Sequence, residues 1–204
     1  MNKYLNHFFS LLGMIFILLG IMAIIESFIS KNPLQILWFC YPCLILIGIG
    51  IFRKNTYLII SQLNILLIPI IIWNIDFFSI VFINRTIFGI TDYLFQGKTA
   101  IISLIITSQH LFIIPISLLT IYFKKTKNKT PWKLSIIQIT LFFIIIRLFT
   151  PIAMNINYAF YPFSPIDKII QPQYYSTFWF LIFFIMIFIS NFLLTKLGNL
   201  NKNA

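Results

Sequence analysis

Six stretches of this chain, at about 8–29, 34–52, 57–75, 99–123, 132–150 and 176–194, run for nineteen residues or more with at most two charged side chains each. An α-helix rises about 1.5 Å per residue and a bilayer's hydrocarbon is about 30 Å thick, so stretches of this length reach from one face to the other. The chain is 60% hydrophobic and only 9% charged, whereas a soluble domain carries about 25% charged residues. The sequence therefore predicts an all-α, polytopic membrane protein, a single domain over 1–204 with six transmembrane helices. The first apolar stretch is longer than a signal-peptide core and has no small-x-small cleavage pattern after it, so it reads as a retained span.

The connections are short. Lys31-Asn32-Pro33 separates the first two spans and Arg53-Lys54-Asn55 the next two, which makes sequence neighbours antiparallel spatial neighbours. After the third span the pattern changes. The apolar run 77–83 is too short to cross and is closed by Asn84-Arg85-Thr86, which predicts an interfacial or re-entrant segment after helix three. Beyond the fifth span, 152–175 is rich in aromatics and prolines and reads as an interfacial loop.

Charge orients the bundle. Ten of the fifteen Lys and Arg residues (Lys3, Arg53, Lys54, the run Lys124, Lys125, Lys127, Lys129 and Lys133, then Lys196 and Lys202) fall on one side of a six-span arrangement. The four acids, Glu26, Asp76, Asp92 and Asp167, fall on the other, with Lys31, Arg85, Lys98 and Lys168. Basic loops stay in the cytoplasm, so both termini are expected there, in the plasma membrane. The net charge of +11 is accounted for by topology and anionic headgroups. No nucleic-acid partner is expected, and the partner class is membrane lipid.

Polar groups inside the apolar stretches mark the candidate site, because such groups are costly in hydrocarbon unless partnered or useful. Counting about 1.5 Å per residue places Cys43, Asn64, Gln109 and His110 about 14–19 Å below the outer face, on three different helices. Each of those helices also carries a proline, Pro42, Pro69 or Pro115. A proline in a helix frees a carbonyl and bends the chain, so the coincidence predicts a small polar pocket at mid-depth, set against plain interhelical packing. A cysteine beside a histidine makes a thiolate and imidazolium pair, with Cys43 as nucleophile, His110 as base and Asn64 able to orient the ring. A thiol in apolar surroundings is otherwise inert. Glu26, Asp76 and Arg147 form a second layer near the outer rim, where Arg147 is expected to pair with one of the acids or reach headgroups. Too few donors accompany Cys40, Cys43 and His110 for a zinc site, and no nucleotide, zincin or hydrolase motif is present. No metal and no cofactor are expected.

Three short motifs, Trp38-Phe39-Cys40-Tyr41-Pro42-Cys43, His110-Leu111-Phe112-Ile113-Ile114-Pro115 and Asn155-Ile156-Asn157-Tyr158-Ala159-Phe160, give the chain a pattern that resembles the prokaryotic YwaF-like integral membrane proteins. Those proteins are in turn similar to animal multispan proteins proposed to be phospholipid acyltransferases. The resemblance implies that the family's cysteine falls on Cys43, its histidine on His110 and its Asn-x-Asn-Tyr turn on Asn155, Asn157 and Tyr158, and it implies lipid acyl transfer. Cys40 is additional to that pattern. The competing expectation is a non-catalytic component, either a subunit of a larger complex or a small-solute carrier. The two halves share no internal repeat of the kind carriers show.

Overall fold

The computed structural model describes residues 3–95, 100–124, 130–163 and 169–200. Lys98, Lys125, Lys127, Lys129, Pro165, Asp167, Lys168 and Lys202, all used in the charge and loop argument above, lie outside them. The helices are α1 (Lys3–Ile29), α2 (Cys40–Phe52), α3 (Thr56–Ile83), α4 (Ile101–Thr107), α5 (Gln109–Lys124), α6 (Pro131–Phe149) and α7 (Tyr175–Leu200), with short 3-10 turns between several of them. Among the described residues, five apolar helical stretches are long enough to cross a membrane: α1, α3, α4 and α5 taken together, α6, and α7 with its preceding turn. The protein is a multi-pass membrane protein on helix length and hydropathy.

Its surface is apolar and its interior partly polar. Leu11, Leu18 and Ile25 on α1, Leu141 and Leu148 on α6, and Leu181 and Phe192 on α7 are exposed, whereas Ser61, Gln62, Asn64 and Ser135 are fully buried. A water-soluble bundle has the reverse arrangement. Hydrocarbon solvates the outer leucines, and the polar groups must find one another inside.

At the centre stands α3, packed against α2, α5, α6 and α7. Its start is fixed by Asn55, whose side chain accepts the Leu58 amide at 3.2 Å, an N-cap that occupies one of the donors a first turn leaves free. Its end is Asn84, in the left-handed region at φ 54°. Beside it, α1 lies close along α2 because glycine meets glycine. A Cβ on Gly13 would come within 2.7 Å of the Gly48 carbonyl oxygen, and one on Gly48 within 2.6 Å of that of Gly13. Small residues that let backbones touch are how helices associate where lipid removes the hydrophobic drive.

Three spans differ from the sequence expectation, each for a local reason. The run 77–83 is no separate interfacial or re-entrant segment: it forms the last two turns of α3, which is 28 residues long. Asn74 and Asp76 suggested a boundary only because polar residues are costly in lipid. Here both are satisfied inside, Asn74 donating to the carbonyls of Ile70 at 2.8 Å and His110 at 3.0 Å. The second span does not begin as an α-helix at residue 34. A 3-10 turn, Pro33–Leu37, comes first, and α2 has only 13 residues. The 3-10 turn contributes about 10 Å of rise and α2 about 20 Å, with Trp38 extended between them. Pro42 then sits in the first turn of α2, where its missing N–H costs nothing, and it kinks no helix. The fourth span is broken at Ser108 into α4 and α5.

Asp76 holds the connection after α3. One carboxylate oxygen accepts from the Ile87 and Phe88 amides and the Thr86 hydroxyl, and the other accepts from the amide and hydroxyl of Thr91. Five donors from one hairpin converge on a buried carboxylate. Asp76→Ala should therefore free 86–91. Limited proteolysis in detergent would show new cleavage between Thr86 and Thr91, together with a loss of about 3 kcal/mol or more in stability. An unchanged proteolytic pattern would contradict this role.

Candidate functional site

Where α1 finishes, α2, α5 and α7 begin and the middle of α3 passes, the helices part around a cavity of about 730 Å³. That lies within the size range of small-molecule sites, about 300–1,000 Å³. Most of the lining is apolar or aromatic, including Trp38, Tyr41, Trp73 and Trp179. Polar side chains are interspersed, among them Glu26, Asn32, Gln35, Cys40, Gln109 and His110.

The cavity exists because two spans are interrupted there, and side chains repair the interruptions. Between the 3-10 turn and α2, the Asn157 amide takes over. Its Nδ2 donates to the Leu37 carbonyl at 2.7 Å, and its Oδ1 accepts the Phe39 amide at 3.0 Å. Asn155, Asn157 and Tyr158 all have positive φ, of 39°, 52° and 53°, a conformation that asparagine tolerates and tyrosine adopts at a cost. The turn is held from two sides. Asn155 accepts the Phe160 and Tyr161 amides and donates to the Tyr161 carbonyl. From α7, Trp179 donates to the Asn157 carbonyl at 3.1 Å and Tyr175 to the Tyr158 carbonyl at 2.6 Å. Tyr158 meets Trp38 edge to face at 6.3 Å, and burial pushes its phenol above the usual range.

At the second interruption, His110 Nδ1 lies 2.8 Å from the Thr107 carbonyl across the α4–α5 break. A carbonyl can only accept, so Nδ1 carries the proton, and Nε2 of the neutral ring is an acceptor. The ring stacks on Trp73 at 4.7 Å. Gln109, beside it, is 1% exposed, and among the described residues neither its amide nitrogen nor its amide oxygen has a hydrogen-bond partner.

The four residues that depth counting placed in one layer separate into two groups. Gln109 and His110 line the cavity, whereas Cys43 and Asn64 are not among its lining residues. Cys43 is fully buried, and its Sγ faces Gln138 Nε2 at 3.5 Å. Gln138 donates to Gln62 Oε1 at 2.9 Å, and Gln62 donates to Ser61. Asn64 donates to Ser135 and Asn191, and Ser135 to the Ser61 carbonyl. Cys43 and Asn64 thus belong to a polar seam that joins α2, α3, α6 and α7. Ser61, Gln62, Ser135, Gln138 and Asn191 were missed from the sequence, although Ser135 and Gln138, three apart, already marked one polar stripe on the fifth span. No hydrogen bond joins Cys43 to His110 among the described residues. The cysteine that lines the cavity is Cys40.

The rim layer also divides. Arg147 pairs with neither acid among the described residues. Its guanidinium lies over Phe143 and Phe160, at 5.7 Å and 5.0 Å from the ring centres, and donates to the Ala159 carbonyl at 3.4 Å. Asp76 is consumed by its loop. Glu26 faces the cavity, with the Ser103 hydroxyl donating to it at 3.4 Å. Among the described residues no group of three or more His, Cys, Asp or Glu side chains is placed to hold a metal ion. Comparison with known proteins finds no matching family model, no matching curated protein and no matching solved structure.

The two thiols should differ in reactivity. In membranes, a small maleimide should label Cys40 in a Cys43→Ser variant at least tenfold faster than it labels Cys43 in a Cys40→Ser variant, and denaturation should abolish the difference. Equal rates in the folded protein would contradict the placement of Cys43 in the closed seam.

Proposed function

We propose that this protein crosses the plasma membrane six times with both termini in the cytoplasm, and that its outward half holds one amphiphilic molecule, a membrane lipid or a fragment of one. The topology is supported by the concentration of Lys and Arg on one side of the predicted spans and by the combined length of α2 and its preceding 3-10 turn. One observation carries the binding role. A cavity of about 730 Å³ is walled by Trp38, Trp73, Trp179 and other apolar side chains, with the Glu26 carboxylate among its polar lining residues. A site of apolar walls with a few placed polar groups is the usual form for an amphiphile.

Acyl transfer by a thiol is a second reading, supported by the resemblance to YwaF-like proteins and by the presence of Cys40 and His110 on the same cavity wall. Cys43, the residue that the resemblance assigns as nucleophile, would need the seam around Gln138 to open. The binding reading requires no such movement.

Trp38, Trp73 and Trp179 line the cavity, so titration of the purified protein in nanodiscs with a brominated short-chain amphiphile should quench tryptophan fluorescence saturably. Quenching that does not saturate would overturn the assignment.

A further inference from the structure

The charges of the cavity narrow its ligand further. The chain carries a net charge of +11, yet among the described residues no Lys or Arg lines the cavity. Among the described residues, Lys31 and Arg85 are exposed and absent from the lining. On the described wall a phosphate or carboxylate headgroup would meet no cation, at a cost of several kcal/mol.

Two carboxylates lie at this end of the bundle, and their states differ. Asp76 has five donors and no capacity left for a ligand. Glu26 is half-buried on the cavity wall, and its one described hydrogen bond is the long one from Ser103. Trp38, Tyr41 and Trp73 line the same cavity as Glu26. A carboxylate among indole and phenol rings is the chemistry that recognises an organic ammonium, through charge pairing and the negative faces of the rings.

Resting on the binding role proposed above, we infer that the cavity selects a cationic amphiphile, an alkyl chain with an amine or quaternary ammonium head, with the head at Glu26 and the chain among the aromatic residues of α3 and α7. An anionic amphiphile of equal length is disfavoured because the described wall offers it no cation.

The test uses the full chain in nanodiscs of neutral lipid, with empty nanodiscs as the partition control. The probes are octyltrimethylammonium, octanol and octyl sulfate, each below its micellar concentration, followed by tryptophan fluorescence. Octyltrimethylammonium should bind at least about tenfold more tightly than octyl sulfate. Glu26→Gln should remove about tenfold of the affinity for the cation while changing octanol binding less than twofold. Equal binding of the three probes, or a Glu26→Gln variant that keeps the cation preference, overturns this inference and leaves the binding role standing. Absence of saturable binding by every probe overturns both. A thermal midpoint unchanged by Glu26→Gln shows that any loss of affinity does not come from unfolding.

Discussion

A backbone amide or carbonyl in hydrocarbon finds no water, and each one left unpaired costs several kcal/mol. An unbroken helix meets this condition by itself. This protein departs from unbroken helices at three places near one end of the bundle, and at each place a side chain supplies the missing partners. Asn157 serves the join between the 3-10 turn and α2, His110 and Asn74 serve the α4–α5 break, and Asp76 serves the hairpin after α3. The remaining architecture follows from these repairs. Where the helices are interrupted they cannot pack tightly, and the space they leave is the cavity.

Elsewhere the same condition produces a closed structure. Ser61, Gln62, Asn64, Ser135 and Gln138 satisfy one another across α3, α6 and α7, with Cys43 at the margin. Such contacts bring helices together when lipid is as apolar as leucine, each contributing on the order of 0.6 kcal/mol. Close approach of Gly13 and Gly48 fastens α1 to α2.

Spans were legible in the sequence because they depend on length and hydropathy, which 8–29, 132–150 and 176–194 display plainly. Their interruptions were less so. Pro42 reads the same whether it kinks a helix or opens one, and only the Asn157 clamp, more than a hundred residues away, decides for the second. Asp76 looked like the end of a span because a carboxylate in lipid is costly, yet the hairpin that satisfies it follows immediately in the chain. Depth counting placed Cys43 and His110 at similar levels, but depth says nothing of azimuth: one residue turns to Gln138 and the other to Trp73. The Asn-x-Asn-Tyr turn was visible as a motif. Its work as a brace for the second span required the long-range contact.

The claim that side chains stand in for helix hydrogen bonds around the cavity is tested most directly by amide hydrogen exchange in nanodiscs, comparing the native chain with Asn157→Ala. The substitution removes the two bonds at Leu37 and Phe39 and leaves α3 untouched. Exchange should accelerate across 34–43 by about tenfold or more, with residues 59–67 of α3 unchanged. Exchange in 34–43 that stays at the native rate would mean that the turn before α2 holds without Asn157, and the account of how the cavity is kept open would fail.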